Sequence, residues 1–132
     1  METINPESWL RPRGYSNGIV ADGRILSVAG QIGWDERGEF VADDFAMQAA
    51  QALRNIVTIV RAAGGRPDEI VRLTWYVTDK REYIAASRDL GENYAAIMGS
   101  HYPAMSLIVV AALLEDRAKV EIEATAVLRG PS

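Results

Sequence analysis

The sequence predicts an α+β fold, with one mixed β-sheet and two helices on one of its faces. Three observations predict it. The apolar period runs from two to 3.6 and back, in the order hairpin, helix, strand, helix, two strands. The last segment, Lys119 to Leu128, alternates, with Val120, Ile122, Ala124, Ala126 and Leu128 on one face. The longest apolar run, Tyr102 to Leu113, is apolar on both faces once past Pro103. Two helices cover one face of such a sheet. The other is expected against a second copy of the chain, the alternative being a long central strand in a monomer.

Each element has its own signal. Residues 1–13 carry Pro6 and Pro12 and read as an irregular arm, with Trp9 tucked against the body. Ile19 to Ala21 and Ile25 to Ala29 flank Asp22-Gly23, the dipeptide of a tight hairpin. Gly30 and Gly33 punctuate the exit and allow a bulge or a close backbone approach. Residues 43–63 repeat apolar side chains at helical spacing, with Asp43 or Asp44 as the cap and Gly64-Gly65 as the stop. Glu69 to Val77 is rich in strand formers, with Val71, Leu73, Trp75 and Val77 on one face. A second helix starts at Asp79 and runs to Gly99, with Tyr83, Ala86, Leu90, Tyr94 and Ile97 as its stripe. Gly91 interrupts it and suggests close packing. The strand after Pro103 covers 104–112, and the last strand closes the sheet.

Length and composition bound the function. The 132 residues suit a single domain, 1–132, and 48% hydrophobic against 24% charged residues is ordinary for a globular protein. A net charge of -4 argues against a nucleic-acid partner. The chain has no cysteine and one histidine, which excludes thiolate chemistry and a multi-histidine metal site within one chain. No metal or other cofactor is expected. The start lacks a basic-then-apolar leader, and no apolar run approaches about twenty residues. A cytoplasmic protein with no membrane partner is the expectation.

Several segments together resemble the RidA/YjgF family, also called endoribonuclease L-PSP-like or reactive imine/enamine deaminase. They are Gly14-Tyr15-Ser16-Asn17, Val28-Ala29-Gly30-Gln31-Ile32, Asn55-Ile56 with Ala62-Ala63-Gly64, Val71 to Thr74 with Val77-Thr78-Asp79, Tyr102-Pro103-Ala104, and Val120-Glu121-Ile122-Glu123-Ala124. No single piece is specific; their order and spacing are. The resemblance implies a chorismate-mutase-like fold and a homotrimer with a central barrel. It also implies ligand clefts between subunits that take a small imine or enamine.

One departure stands out. Active deaminases of the family carry an arginine after Pro-Ala, which binds a substrate carboxylate through a bidentate fork. Here the position is Met105, whose thioether cannot donate. Gly33 also replaces a common proline. These features are similar to arginine-lacking subgroups such as the 2-aminomuconate deaminase-like proteins. The resemblance makes Glu121 the catalytic carboxylate and puts it with Met105 in one intersubunit cleft, on adjacent strands. It makes Tyr15, Ala29 and Gly30 substrate-binding residues. Each has a plainer reading: a solvated strand carboxylate for Glu121, packing under the arm for Tyr15. His101 is either a general base near the cleft or a surface histidine before a strand. Arg13 is the candidate replacement cation, with Arg72 as another. The expected activity is a hydrolytic imine/enamine deaminase; the alternative is a non-enzymatic ligand-binding homotrimer. The net charge and the missing arginine argue against a ribonuclease.

Overall fold

The computed structural model describes residues 1–130. Its strands are β1 (Glu2–Ile4), β2 (Gly18–Val20), β3 (Arg24–Gln31), β4 (Ile70–Val77), β5 (Ala104–Val109) and β6 (Val120–Leu128). Its helices are α1 (Phe45–Ala62), α2 (Lys80–Ala85) and α3 (Ser87–Met98), with a 3-10 turn at Pro67–Glu69. Four strands form a mixed sheet in the order β3-β6-β4-β5, antiparallel except for the parallel pair β4 and β5. No helix among the described residues is long and apolar enough to cross a membrane.

The core lies between this sheet and the helices. Strict alternation in β6 sends Val120, Ile122, Ala124, Ala126 and Leu128 into it, against Ala49, Leu53, Ile56 and Val60 of α1. Helix α1 starts where Asp44 accepts a hydrogen bond from the Met47 N–H at 3.0 Å. Asp79 caps α2 in the same way, accepting from the Arg81 N–H at 2.8 Å.

The structure corrects several expectations. Asp22-Gly23 does not close a hairpin. Strand β2 pairs with β1 from the arm, and β3 pairs with the longer β6. Asp22 keeps a negative φ, so the mirror-image turn is not formed. Trp9 is 62% exposed rather than tucked in. The second helix is two, broken at Ala86, whose φ of -90° and ψ of 5° leave the helical region. In β4 a bulge between Ile70 and Arg72 brings Ile70, rather than Val71, into the core. Finally, β5 is shorter than its apolar run. It is the last strand of the sheet, and among the described residues its outer side pairs only at the bridge from Ser16 to Ala104. The central-strand alternative for a monomer is thereby overturned.

The sheet's other face has no helix on it. Ile25 on β3 is 75% exposed, and Ile108 on β5 is also exposed. Arg72, Tyr76, Glu121, Glu123, Thr125 and Val127 share this face by strand alternation.

The far end of β6 is tied down by a buried carboxylate. Glu69 accepts from the Arg129 N–H at 2.7 Å and from the Arg66 N–H at 2.9 Å. The Arg129 N–H is the main cause that holds its carboxyl below the ordinary value of 4.5; burial opposes this. A depressed carboxyl pKa stabilises the fold fully above the ordinary value, and that stability is lost as pH falls through the folded value. Glu69→Gln should therefore cost about 2 kcal/mol at pH 7. Urea unfolding should show the gap from the unmodified protein shrinking as pH drops below 4.5.

Candidate functional site

The first part of the site is built on α1. Gln48 is fully buried on the helix side facing the sheet. Its Nε2 donates to the carbonyls of Ala42 (3.0 Å) and Arg117 (3.1 Å), and its Oε1 accepts from the Lys119 N–H at 2.9 Å. Seven residues on, Asn55 Nδ2 donates to the Trp34 carbonyl at 2.9 Å and the Ile32 carbonyl at 3.3 Å. Gln51 steadies Asn55 by donating to its Oδ1 at 2.8 Å. One helix thus fixes both the exit of β3 and the entry to β6. Gly33 lets that happen: a β-carbon there would lie 2.7 Å from the Gln48 Cα.

Between those two anchors, β3 bulges at Ala29-Gly30, both of them exposed. A bulge leaves backbone polar groups outside the ladder. Glu121 on β6 lies directly against it. A β-carbon on Gly30 would overlap the carboxylate, at 2.6 Å from Cδ. Glycine is required for that approach. The second glutamate is engaged elsewhere, since Glu123 accepts from the Tyr76 hydroxyl at 2.7 Å. That bond is the main cause that raises the Tyr76 pKa above its ordinary value. Arg72 lies on the same face, its guanidinium donating to Ser106 Oγ at 3.3 Å.

Met105 is not there. Its partner across β5 and β4 is Leu73, on the helix side, whereas Glu121 is opposite Tyr76, on the uncovered side. Strands β5 and β6 are separated by β4, so within one chain the two strands are not adjacent. Met105 lines an apolar cavity of about 230 Å³ with Trp75, Tyr83, Leu90, Tyr94 and Tyr102. Gly91 lines it too, and a β-carbon there would meet nothing within 4 Å. That glycine marks space in place of the close packing expected. Tyr102 stacks on Tyr94, centroids 5.2 Å apart and planes 9° from parallel. Burial pushes the Tyr94 hydroxyl up, and it donates to the His101 carbonyl at 2.7 Å.

Tyr15 and His101 line a third place, a cavity of about 570 Å³ under the arm, with Trp9, Arg11 and Tyr102. Ser16 anchors this segment at its bridge to Ala104, its N–H donating to the Pro103 carbonyl at 3.1 Å and its hydroxyl to the Tyr102 carbonyl at 2.5 Å. His101 Nε2 lies 2.6 Å from the Ile70 carbonyl, so it carries the proton and donates. That contact ties the loop before β5 to β4. Arg13 is exposed and lines neither cavity; Arg11 is the arm's arginine beside Tyr15.

Sequence reasoning thus named residues in three places of one chain. It missed Gln48 and Arg11. The only signal for Gln48 was a polar residue one turn before Ala52 on a strongly apolar helix.

Comparison with known proteins gives a consistent likeness. The family model described as Endoribonuclease L-PSP matches residues 10–128. The 2-iminobutanoate/2-iminopropanoate deaminase of Salmonella typhimurium is 37% identical over 110 residues, 81% of this chain and 82% of that protein. The human protein of the same name is 34% identical over 118 residues, 89% and 81%. Among solved structures, the Rid-family protein YyfB from Yersinia pestis, of unknown function, superposes with a TM-score of 0.85 at 35% identity, covering 96% of this chain and 98% of its own. The YjgF gene product from Escherichia coli gives 0.68 at 36%, covering 87% and 88%.

Replacing Gln48 tests the frame beneath the site. Gln48→Leu leaves two carbonyls and an N–H without their partner and should cost about 3 kcal/mol, read by urea unfolding.

Proposed function

The chain belongs to the endoribonuclease L-PSP (RidA/YjgF) family, and within it we propose a hydrolytic imine/enamine deaminase that works as a homotrimer. The observation that carries the reading is the carboxylate of Glu121 held against the bulged Ala29-Gly30 backbone on an uncovered sheet face. Relatives at 34–37% identity are named for deamination of 2-iminobutanoate and 2-iminopropanoate.

The reaction fits one carboxylate. Glu121 takes a proton from water as the water oxygen bonds to the imine carbon. The C=N electron pair moves to nitrogen, which receives that proton from Glu121. The carbinolamine then collapses: Glu121 takes its hydroxyl proton, the C=O bond forms as the C–N bond breaks, and ammonia departs with the proton that Glu121 returns. The exposed backbone of Ala29 and Gly30 supplies polar groups to orient the substrate. In this reading a neighbouring copy covers the open face and brings its Tyr15 or its Met105 cavity to Glu121, since one chain keeps them apart. The apolar residues of that face, Ile25, Ile108 and Val127, suit such a contact.

Met105 favours a second reading, a ligand-binding trimer without turnover, because no arginine fork holds a substrate carboxylate in place. The two separate on supplying the pure protein with imines generated in situ and measuring ammonia and trapped semicarbazone. Deamination that disappears in Glu121→Gln, with the trimer retained, is the expected result. Binding of the imine's stable analogue with no ammonia released supports the second reading. Light scattering at micromolar concentration should give three times the chain mass; a monomer there would overturn the assembly.

A further inference from the structure

The cavity under the arm has a cation in its wall that the fold does not use. At about 570 Å³ it lies within the ~300–1,000 Å³ of small-molecule sites. Arg11 lines it, and among the described residues no other arginine or lysine does. Arg11 is exposed, and among those residues its side chain makes no ion pair. Glu7 lines the same cavity without pairing to it. Burial does not explain the arm's shape, since Trp9 is 62% and Leu10 94% exposed. Yet that shape is pinned. Asn5 Oδ1 accepts from the Asn17 N–H at 2.8 Å and from Asn17 Nδ2 at 3.1 Å. The Trp9 N–H donates to the Pro6 carbonyl at 3.0 Å, and Pro6 and Pro12 fix φ on either side of the turn. The opposite wall is rigid too, with Tyr102 stacked on Tyr94 and His101 held to the Ile70 carbonyl.

We propose that this cavity binds a short monocarboxylate, and that Arg11 supplies from the arm the guanidinium fork that position 105 lacks. The inference rests on the deaminase reading only for its link to Glu121, to which a neighbouring copy would bring Tyr15. A carboxylate needs a cation or its water. The Met105 cavity has no charged residue in its wall, so a carboxylate there loses hydration with nothing in return. In the arm cavity it meets a guanidinium, which can give it two parallel N–H bonds. Tyr15, Ser100 and Tyr102 line the same cavity and add hydroxyl groups. Glu7 limits the charge that fits. A second anionic group on the ligand would meet that carboxylate, so one negative charge is favoured over two. Because both walls are set without a ligand, little order has to be created on binding.

Two probes test this without any turnover: 2-oxobutanoate and butanone, which differ by a carboxylate against a methyl group. Binding is followed in low-salt buffer with the ¹⁵N-labelled protein, through the indole N–H signal of Trp9, which lines the cavity. Trp9→Phe assigns that signal among the three tryptophans. 2-Oxobutanoate should shift it saturably and bind at least about fivefold tighter than butanone. Arg11→Gln should weaken 2-oxobutanoate by a similar factor and leave butanone unchanged. Arg11 is exposed and unpaired, so that variant should fold as the unmodified protein does. An unmoved Trp9 signal, equal binding of the two probes, full binding in Arg11→Gln, or an equal loss in Arg13→Gln would each overturn the proposal. Carboxylate binding that needs Arg11, with no ammonia released from imines, would uphold it and count against the deaminase reading. Ammonia release with an unchanged KM in Arg11→Gln would sink this inference and leave that reading standing.

Discussion

The geometry of the site depends on one constraint: the amides of α1 must be satisfied inside the protein. Gln48 is fully buried, and a buried amide without partners is costly. Its three hydrogen bonds reach the loop before the helix and the turn before β6. Asn55 does the same for the exit of β3. These bonds fix the register of α1 over the sheet more sharply than apolar packing does, because packing alone tolerates sliding and hydrogen bonds do not. The bulge at Ala29-Gly30 and the first turn of β6 are held relative to each other as a consequence. The approach of Glu121 to Gly30 is the product of that frame.

A second constraint is parity. Positions 105 and 121 lie on strands separated by β4, and side chains alternate faces along each. With Leu73 opposite Met105 and Tyr76 opposite Glu121, the two are driven to opposite faces. No rotamer change can bring them together within one chain. Any chemistry that uses both needs two copies, each offering one face. The mixed surface around Glu121, with Ile25, Ile108 and Val127 beside Arg72 and Glu123, is what a contact surface with a polar gap in it requires.

Much of this was legible in the residues. The helix 43–63, the strand near 69–77 and the last strand were read within one or two residues, because their periodicity is strong and their caps are local. The hairpin at Asp22-Gly23 was misread because turn chemistry is local and strand pairing is not. Strand β3 gains a longer partner in β6 than β2 offers, and β2 takes β1 from a segment with almost no pattern. The face that Met105 takes within its own chain was not legible for a related reason. A strand apolar on both faces carries no mark of which face meets the helices. Gln48 was overlooked because a polar residue in an apolar stripe looks like an error until its partners, 69 and 71 residues away, are known. Glu121 and Gly30 came from resemblance, and the structure supplies the physical link between them that resemblance did not.

In the proposed reading, where Met105 stands in for a cation, the kind of selectivity open to the site changes. An arginine fork rewards a carboxylate and is insensitive to the rest of the ligand. An apolar aromatic cavity rewards shape first, and disfavours a charge that enters it without a partner. Trp75 in the cavity wall is also part of the core, edge-on to Tyr83 and set by the register of β4 on β6. Its ring is therefore held by the packing that holds the fold. The polar open face around Glu121 and the apolar cavity beside Met105 thus lie on opposite sides of the same sheet.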